Sequence, residues 1–255
     1  MKNSRTKNKE SQWFGYKKVK EQEKYNLVDN VFTSVADNYD LMNDLMSACM
    51  HRLWKHQLIK MIKPSAKKSL LDVAGGTGDI SFLYKEKAGT TADITICDIN
   101  PNMLNVGKNR AIDKGFLPKD FNWIEGNAEK LPFEDNSFDI YTISFGLRNV
   151  PKIDNALEEA YRVLKSGGKF FCMEFSKVNN PLLDKIYEQH LFKIIPTIGE
   201  YVANDRESYQ YLSESIRQFP SQTELAERIE KAGFKLVSYT NLTGGIVAIH
   251  KGVKL

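Results

Sequence analysis

The sequence predicts a doubly wound α/β fold, in which helices cover both faces of a mostly parallel sheet of seven strands. Short apolar runs alternate along the chain with longer segments whose apolar residues recur at helical spacing. Those segments supply the long crossovers that parallel strands require. A glycine-rich loop, residues 75–78, follows the first apolar run. A short turn joins the last two runs, which indicates an antiparallel strand pair at the C-terminal end.

The chain is expected to begin with a polar, solvated tail, residues 1–25, followed by a single domain, residues 26–255. In the first part of that domain, apolar residues such as Val28 and Val31 recur at helical spacing, which predicts N-terminal helices before the sheet. Pro64 ends this helical pattern.

Strands and helices then alternate, and the carboxyl-terminal third departs from that rhythm. An insertion, residues 176–220, is rich in apolar residues at helical spacing and predicts a helical cap. A turn at Gly167 and Gly168 is expected before the fifth strand. The predicted helices of the core are 80–87, 102–114 and 153–164. The predicted strands are 69–74, 94–97, 121–124, 138–144, 169–175, 234–240 and 245–250.

The composition excludes several classes of protein. Lysine and arginine number 36 against 32 aspartates and glutamates, an excess too small and too dispersed for a dedicated nucleic-acid binder. Cys49, Cys97 and Cys172 lie far apart, so neither a disulfide framework nor a zinc site is indicated. No apolar run is long enough to span a membrane. A cytoplasmic protein without a metal is therefore expected.

The glycine loop and an acidic residue predict a nucleoside site. Gly76 and Gly78 remove side chains where the backbone must approach a ligand, and Thr77 can add a hydroxyl. Asp98 ends the second strand, where a carboxylate can accept hydrogen bonds from ribose hydroxyls. NAD is disfavoured because Ser81 stands where a dinucleotide fingerprint needs a third glycine.

Further strand ends complete the predicted site. Asn127 and Ala128 follow the third strand, and Ser144 ends the fourth. Because ligands bind beyond the carboxyl ends of parallel strands, these residues are expected to surround an adenine and a methionine moiety.

Four segments of the chain carry a more specific signal: 39–54 (YDLMNDLMSACMHRLW), 71–79 (LDVAGGTGD), 143–150 (ISFGLRNV) and 204–216 (NDRESYQYLSESI). They resemble the ubiquinone/menaquinone C-methyltransferases, a family of class I, Rossmann-like methyltransferases. The resemblance covers the chain from about Trp13 to its end. Two departures are Cys49, where the family more usually has glycine, and Ser166, where proline is usual.

The resemblance implies both a cofactor and a substrate. The cofactor is S-adenosylmethionine (SAM), and the substrate is a quinol with a polyprenyl tail. The implied reactions convert 2-polyprenyl-6-methoxy-1,4-benzoquinol to its 3-methyl product or demethylmenaquinol to menaquinol. The residues implied to contact SAM are Thr77, Asp98, Asn127, Ala128 and Ser144.

Methyl transfer to a ring carbon sets the requirements for catalysis. Alignment of the reactants supplies roughly 7 to 11 kcal/mol at best. A ring carbon becomes nucleophilic when an adjacent hydroxyl loses its proton, so a phenolate-stabilising cation is expected nearby. Arg148 and Asn149 follow the fourth strand, and Arg148 is predicted to stabilise the phenolate.

Tyr39 and His51 are further candidates, either to hydrogen-bond the quinol or to relay its proton. A histidine suits that role because its ordinary pKa lies near neutrality. A packed histidine in a helix is an equally good interpretation of His51, and the spacing of the histidines predicts no metal site.

The prenyl tail has a place in the predicted cap. Each buried methylene stabilises binding by about 0.8 kcal/mol, so the tail requires an apolar groove open to the bilayer. Peripheral contact with the inner membrane is therefore expected, on the matrix side if the source is eukaryotic. A homodimer or a quinone-biosynthesis complex is compatible with the sequence.

Two other functions stay open. One is a methyltransferase for another small molecule or an RNA base, although the chain lacks the basic stripe that RNA binding needs. The other is a non-catalytic SAM-binding subunit that stabilises a quinone-synthesis complex.

Overall fold

The structure is a computed structural model, and it describes residues 11–35, 43–44, 47, 49–89, 91–203 and 205–255. The strands in these residues are β1 (Ser11–Phe14), β2 (Lys17–Lys20), β3 (Leu70–Val73), β4 (Ile94–Asp98), β5 (Asn122–Glu125), β6 (Phe138–Ser144), β7 (Leu164–Phe175), β8 (Lys235–Leu242) and β9 (Val247–Val253). The α-helices are α1 (Glu21–Val35), α2 (Met50–Ile62), α3 (Asp79–Ala88), α4 (Pro101–Asp113), α5 (Ile153–Val163), α6 (Pro181–Gln189), α7 (Ile195–Ala203), α8 (Arg206–Gln218) and α9 (Gln222–Lys231).

Strands β3 to β9 form one sheet in the order β5-β4-β3-β6-β7-β9-β8. Strands β3 to β7 run parallel, whereas β9 lies antiparallel between β7 and β8. The predicted α/β fold, with its antiparallel C-terminal pair, is confirmed. Strand β3 pairs with both β4 and β6, so the strand order reverses there. Ligands of such sheets bind at the carboxyl ends of the strands beside this reversal.

Apolar residues cover both faces of the sheet. On one face, α2, α3 and α4 contribute buried side chains such as Leu58, Phe82 and Leu104. On the other, α5 and α9 contribute Leu157 and Leu225. The spacing of the apolar residues in each helix places them on one stripe, and that stripe is the one that packs on the sheet.

The predicted polar tail is corrected for residues 11–25, which form strands β1 and β2 and the first turn of α1. The two strands are an antiparallel hairpin that packs on α8. The ring of Phe14 stacks on Tyr211 with 3.9 Å between centroids, and the backbone N–H of Tyr16 donates to Glu214 at 2.9 Å. These contacts are long-range, so local composition gave no indication of them.

The predicted glycine turn lies within the bounds of β7, and regular pairing with β6 resumes at Lys169 as predicted. Gly167 and Gly168 lie inside β7, which begins at Leu164. The pairing of β6 with β7 shifts register there, from Phe138 opposite Leu164 to Ile140 opposite Lys169. The glycines occupy the extra residues of this irregularity, and Gly167 has a φ of 78°, so the backbone turns locally there.

The insertion forms the predicted helical cap. Helices α6, α7 and α8 follow one another, and a π-helical segment, His190–Ile194, links the first two. Tyr187, Leu191 and Leu212 from this cap join the core beside the sheet. No helix in the described part of the chain is long and apolar enough to cross a membrane.

Candidate active site

The glycine loop turns sharply between β3 and α3. Ala74, Gly76 and Gly78 have φ angles of 50°, 49° and 87°, a region that favours glycine. Gly78 is required on packing grounds as well, because a Cβ there would lie 2.7 Å from the Phe82 ring. The loop thereby exposes its backbone toward the end of β4.

Asp98, the last residue of β4, holds that loop in place. Its Oδ2 accepts from the backbone N–H of Gly76 at 2.8 Å, and its Oδ1 accepts from that of Asn100 at 2.9 Å. Burial raises the pKa of Asp98 to about 6, although these hydrogen bonds oppose the rise. Each oxygen of the Asp98 carboxylate can accept a second hydrogen bond, so both stay available to ribose hydroxyls.

A cavity of about 340 Å³ opens beside Asp98, at the carboxyl ends of β3, β4, β5 and β6. Its size is within the range of small-molecule sites. Six of the predicted site residues meet there, although they come from four separate segments of the chain. Those that line it are Gly76, Asp98, Asn127, Ala128, Ser144 and Asn149.

Thr77 and Gly78 are adjacent to these residues but do not line the cavity. Thr77 is buried on the other side of the loop, in a small space that it shares with Asp72 and Lys55. Gly78 caps the N-terminus of α3. Gly76 therefore lines the cavity, whereas its neighbour Thr77 lines the small space on the other side.

Two buried polar atoms on the cavity wall have no hydrogen-bond partner in the described structure, Ser144 Oγ and Asn149 Nδ2. The other end of the Asn149 amide accepts from the Tyr211 hydroxyl at 3.1 Å, which fixes its orientation. Buried polar groups of this kind are usually satisfied, so they indicate a polar ligand. Together with Asp98, they fit a nucleoside that carries an amino-acid chain, as SAM does.

Helix α1 forms a further wall that was not predicted. Tyr25, Asn26, Val28 and Asp29 line the cavity. The helix is tied to the N-terminus of α4, because Asn100 Nδ2 donates to Asp29 Oδ1 at 2.8 Å and to Thr33 Oγ1 at 3.0 Å. The helical spacing from residue 26 onward was the available signal, and it does not reveal what a helix packs on.

Arg148 lies next to the cavity but is not among its lining residues. Its Nη1 is 2.9 Å from Glu174 Oε1, and it also donates to the carbonyl of Phe145. Its Nε is buried and has no partner in the part of the chain that the structure describes. The side chain lines a second cavity of about 310 Å³, between the hairpin and α8, together with Tyr211. The predicted phenolate-stabilising cation is therefore already paired with a carboxylate.

His51 lies away from the cavity, and Tyr39 lies outside the described residues. His51 Nε2 is 2.7 Å from Asp44 Oδ1, in a separate cleft beside α3. Burial, together with the nearby Lys55, lowers the pKa of His51, although Asp44 opposes that effect. In the described part of the chain, no group of three or more His, Cys, Asp or Glu residues is arranged to hold a metal ion.

Comparison with known proteins identifies close relatives over almost the whole chain. The ubiE/COQ5 methyltransferase family matches residues 16–254. A protein of Brucella abortus (strain S19), named ubiquinone/menaquinone biosynthesis C-methyltransferase UbiE, is 57% identical over 244 residues, covering 95% of this chain and 90% of that protein. Its namesake from Brucella anthropi is 58% identical over 244 residues, covering 95% and 92%.

Solved structures support the fold. A SAM-dependent methyltransferase from Thermotoga maritima superposes with a TM-score of 0.61 at 20% sequence identity. The match covers 89% of this chain and 99% of that one. Identity at this level speaks for the architecture of the sheet and its helices.

Proposed function

Because the chain belongs to the ubiE/COQ5 methyltransferase family, we propose that it methylates a ring carbon of a prenylated quinol in ubiquinone or menaquinone biosynthesis. It is a SAM-dependent C-methyltransferase. The substrates are 2-polyprenyl-6-methoxy-1,4-benzoquinol, which becomes its 3-methyl product, and demethylmenaquinol, which becomes menaquinol.

One observation carries the placement of the cofactor. Asp98, Ser144 and Asn149 line one cavity, and within the described residues Ser144 Oγ and Asn149 Nδ2 are buried without partners. In this proposal Asp98 accepts from the ribose hydroxyls, and Gly76 brings the backbone close to the ligand. Asn127 and Ala128 border the adenine, and Ser144 binds the methionine part. Thr77 supports the loop from beneath rather than by direct contact.

When bound, SAM supplies an electrophilic methyl group on a sulfonium. The chain's own residues must align a quinol carbon with that methyl group, since alignment is the main catalytic contribution available here. They must also favour the phenolate form of the quinol, because that form makes the ring carbon nucleophilic. After transfer, the ring carbon loses its proton to a base or to water.

Arg148 and Asn149 are the proposed groups for the phenolate. Asn149 lines the cavity, and its Nδ2 and the Nε of the neighbouring Arg148 are both donors without a partner among the residues that the structure describes. The Glu174 carboxylate offsets the charge of the Arg148 guanidinium. The phenolate would therefore be stabilised by a directed N–H of that pair rather than by an isolated cation. Tyr39 and His51 are proposed only for proton relay, and His51 would act through intervening groups because it lies in another cleft.

The reaction is tested by an anaerobic assay of the purified protein with methyl-labelled SAM and a short-tailed quinol of each class. Label on the ring carbon, read by product mass and NMR, is the expected result and identifies the ring. Cofactor binding without labelled product would favour the assembly-subunit alternative.

The role of Arg148 needs a variant that keeps the buried pair intact. Arg148→Lys retains a charge for Glu174 but loses the planar fork of donors. We expect kcat to fall by about 100-fold, as for loss of one oxyanion donor, while SAM affinity stays unchanged. An assembly subunit would tolerate the change.

The membrane is the proposed source of the quinol, and the chain is proposed to work in the cytoplasm at its surface. Apolar residues of the cap face outward, including Leu182, Ile186 and Ile194. They support entry of a prenyl tail from the bilayer through the cap. Flotation with quinol-bearing liposomes is the test, and a protein that stays at the bottom of the gradient would contradict it.

A further inference from the structure

Tyr25 forms part of the cavity wall, and its hydroxyl joins α1 to the loop after β5. We propose that Tyr25 is a positioning residue that latches α1 over bound SAM and slows the release of SAM. This inference rests on the proposed function, specifically on SAM occupying the cavity beside Asp98.

The Tyr25 hydroxyl both accepts and donates a hydrogen bond. It accepts from Asn127 Nδ2 at 3.2 Å and donates to the Glu129 carboxylate. The backbone N–H of Glu129 donates in turn to Asn127 Oδ1 at 2.9 Å. These three residues therefore form a closed ring of hydrogen bonds, and loss of the one hydroxyl breaks two of its three links.

Glu129 extends the latch to a third segment. Its other carboxylate oxygen accepts from the backbone N–H of Lys152, which follows the cavity residue Pro151. The buried Lys24 precedes Tyr25 on α1 and attracts the same carboxylate, although burial lowers the pKa of Lys24 to about 8. The Glu129 carboxylate thus joins α1, the loop after β5 and the segment at Lys152 at one point.

The position of α1 gives this ring its consequence. A ligand in the cavity lies between α1 and the carboxyl ends of the strands, so movement of α1 away from the strands would widen its way out. Two sets of polar contacts oppose that movement, the ring at Tyr25 and the contacts of Asn100 with Asp29 and Thr33. The hydrogen-bonded ring includes Asn127, which lies on the proposed adenine side of the cavity. Asn100 holds α1 one helical turn further on, at Asp29.

Tyr25→Phe tests the latch, because it keeps the ring on the cavity wall and removes only the hydroxyl. The dissociation rate of SAM, measured by stopped-flow displacement, is expected to rise about tenfold. The KM for SAM should rise with it, while kcat at saturating SAM stays the same. If the Tyr25 hydroxyl only stabilised the fold, the variant would melt at a lower temperature but would not show a raised KM for SAM together with an unchanged kcat.

Tyr84→Phe is the matched control. Its hydroxyl also bonds within the fold, to the backbone of Ser65 at 3.1 Å, but it does not line the cavity. This variant should melt at a lower temperature and release SAM at the wild-type rate.

Glu129→Ala provides a second route if Tyr25→Phe fails to fold. Since both changes break the same ring, the double variant should release SAM no faster than the faster single variant. A folded Tyr25→Phe or Glu129→Ala protein with the wild-type dissociation rate overturns the latch alone. If Asp98→Asn leaves SAM affinity unchanged, the proposed cavity is wrong and the latch is rejected with it.

Discussion

The guanidinium of Arg148 lies 2.9 Å from the carboxylate of Glu174, and these side chains are only 4% and 1% exposed. Glu174 also accepts from the backbone N–H groups of Arg148 at 3.3 Å and Phe175 at 2.9 Å. Burial raises the pKa of the Glu174 carboxyl, and Arg148 opposes that rise. The pair joins the turn after β6 to the end of β7, next to the proposed site of methyl transfer.

Replacing Glu174 with Gln is expected to lower the free energy of unfolding by about 3 kcal/mol, because it leaves a buried guanidinium without its counter-charge. Urea denaturation measures the loss. In the double variant Arg148→Met, Glu174→Met, most of that stability should return, since no buried charge remains. Its methyltransferase activity should stay low. A loss below 1 kcal/mol in Glu174→Gln would show that the pair does not depend on charge.

Two hydroxyls on β6 are expected to respond in opposite ways. Ser144 Oγ has no partner among the described residues, so Ser144→Ala should change stability by less than about 0.5 kcal/mol and weaken SAM binding about fivefold to tenfold. Thr142 Oγ1 donates to Asp72 at 2.8 Å, so Thr142→Val should cost about 1 to 3 kcal/mol of stability and leave SAM affinity unchanged. Calorimetry and urea denaturation separate the two effects. Equal SAM affinity in Ser144→Ala and wild type would remove Ser144 from the site.

SAM affinity is expected to fall below about pH 6. Burial raises the pKa of Asp98 to about 6, and ribose hydroxyls prefer its ionised form, so binding must release a proton below that pH. The Kd should rise up to about tenfold per pH unit under pH 6 and level off above about pH 7. Calorimetry in buffers of different ionisation enthalpy detects the proton. Asp98→Asn should bind weakly at every pH, and a pH dependence that survives this change would have another origin.

The Asp98 carboxyl should also make the free energy of unfolding of the SAM-free protein depend on pH. A carboxyl with a raised pKa binds more protons in the folded state than in the unfolded state between about pH 4 and 6. The free energy of unfolding should therefore fall as the pH rises through that window. Asp72, whose pKa burial also raises to about 6, acts in the same direction.

Cys49→Gly is expected to stabilise the protein. Cys49 precedes α2 with a φ of 64°, a conformation that costs a residue with a Cβ about 1 to 2 kcal/mol. The greater freedom of glycine in the unfolded chain offsets part of this gain, which leaves up to about 1 kcal/mol. Cys49→Ala keeps the Cβ and should give no gain. Equal melting temperatures for the Gly and Ala variants would argue against strain at this position.

The sheet and the strand ends were predictable because both depend on local patterns. Period and length separate buried strands from helices, and the carboxyl ends of parallel strands meet at one edge. Gly76, Asp98 and Ser144 each stand at such an end, so their convergence on one cavity followed from the fold class. Thr77 shows the limit of this reasoning. Its neighbour Gly76 faces the cavity while Thr77 is buried beneath, a difference set by backbone torsions.

Long-range partners were not predictable from the sequence. Glu174 lies 26 residues beyond Arg148, and their contact depends on the register between β6 and β7. Tyr25 belongs to a polar segment whose composition is typical of a tail, yet it packs against residues 102 and 104 positions later. Such contacts follow from tertiary packing, which overrides local composition.

Helix α1 is synthesised before the residues that it covers. Tyr25 leaves the ribosome 104 residues ahead of Glu129, and Asp29 precedes Asn100 by 71. At roughly 5 to 20 residues per second, the nascent α1 waits about 5 to 20 s for its partners. The cavity lining therefore cannot be complete until the chain has been made as far as Pro151, when an early segment folds back onto a later one.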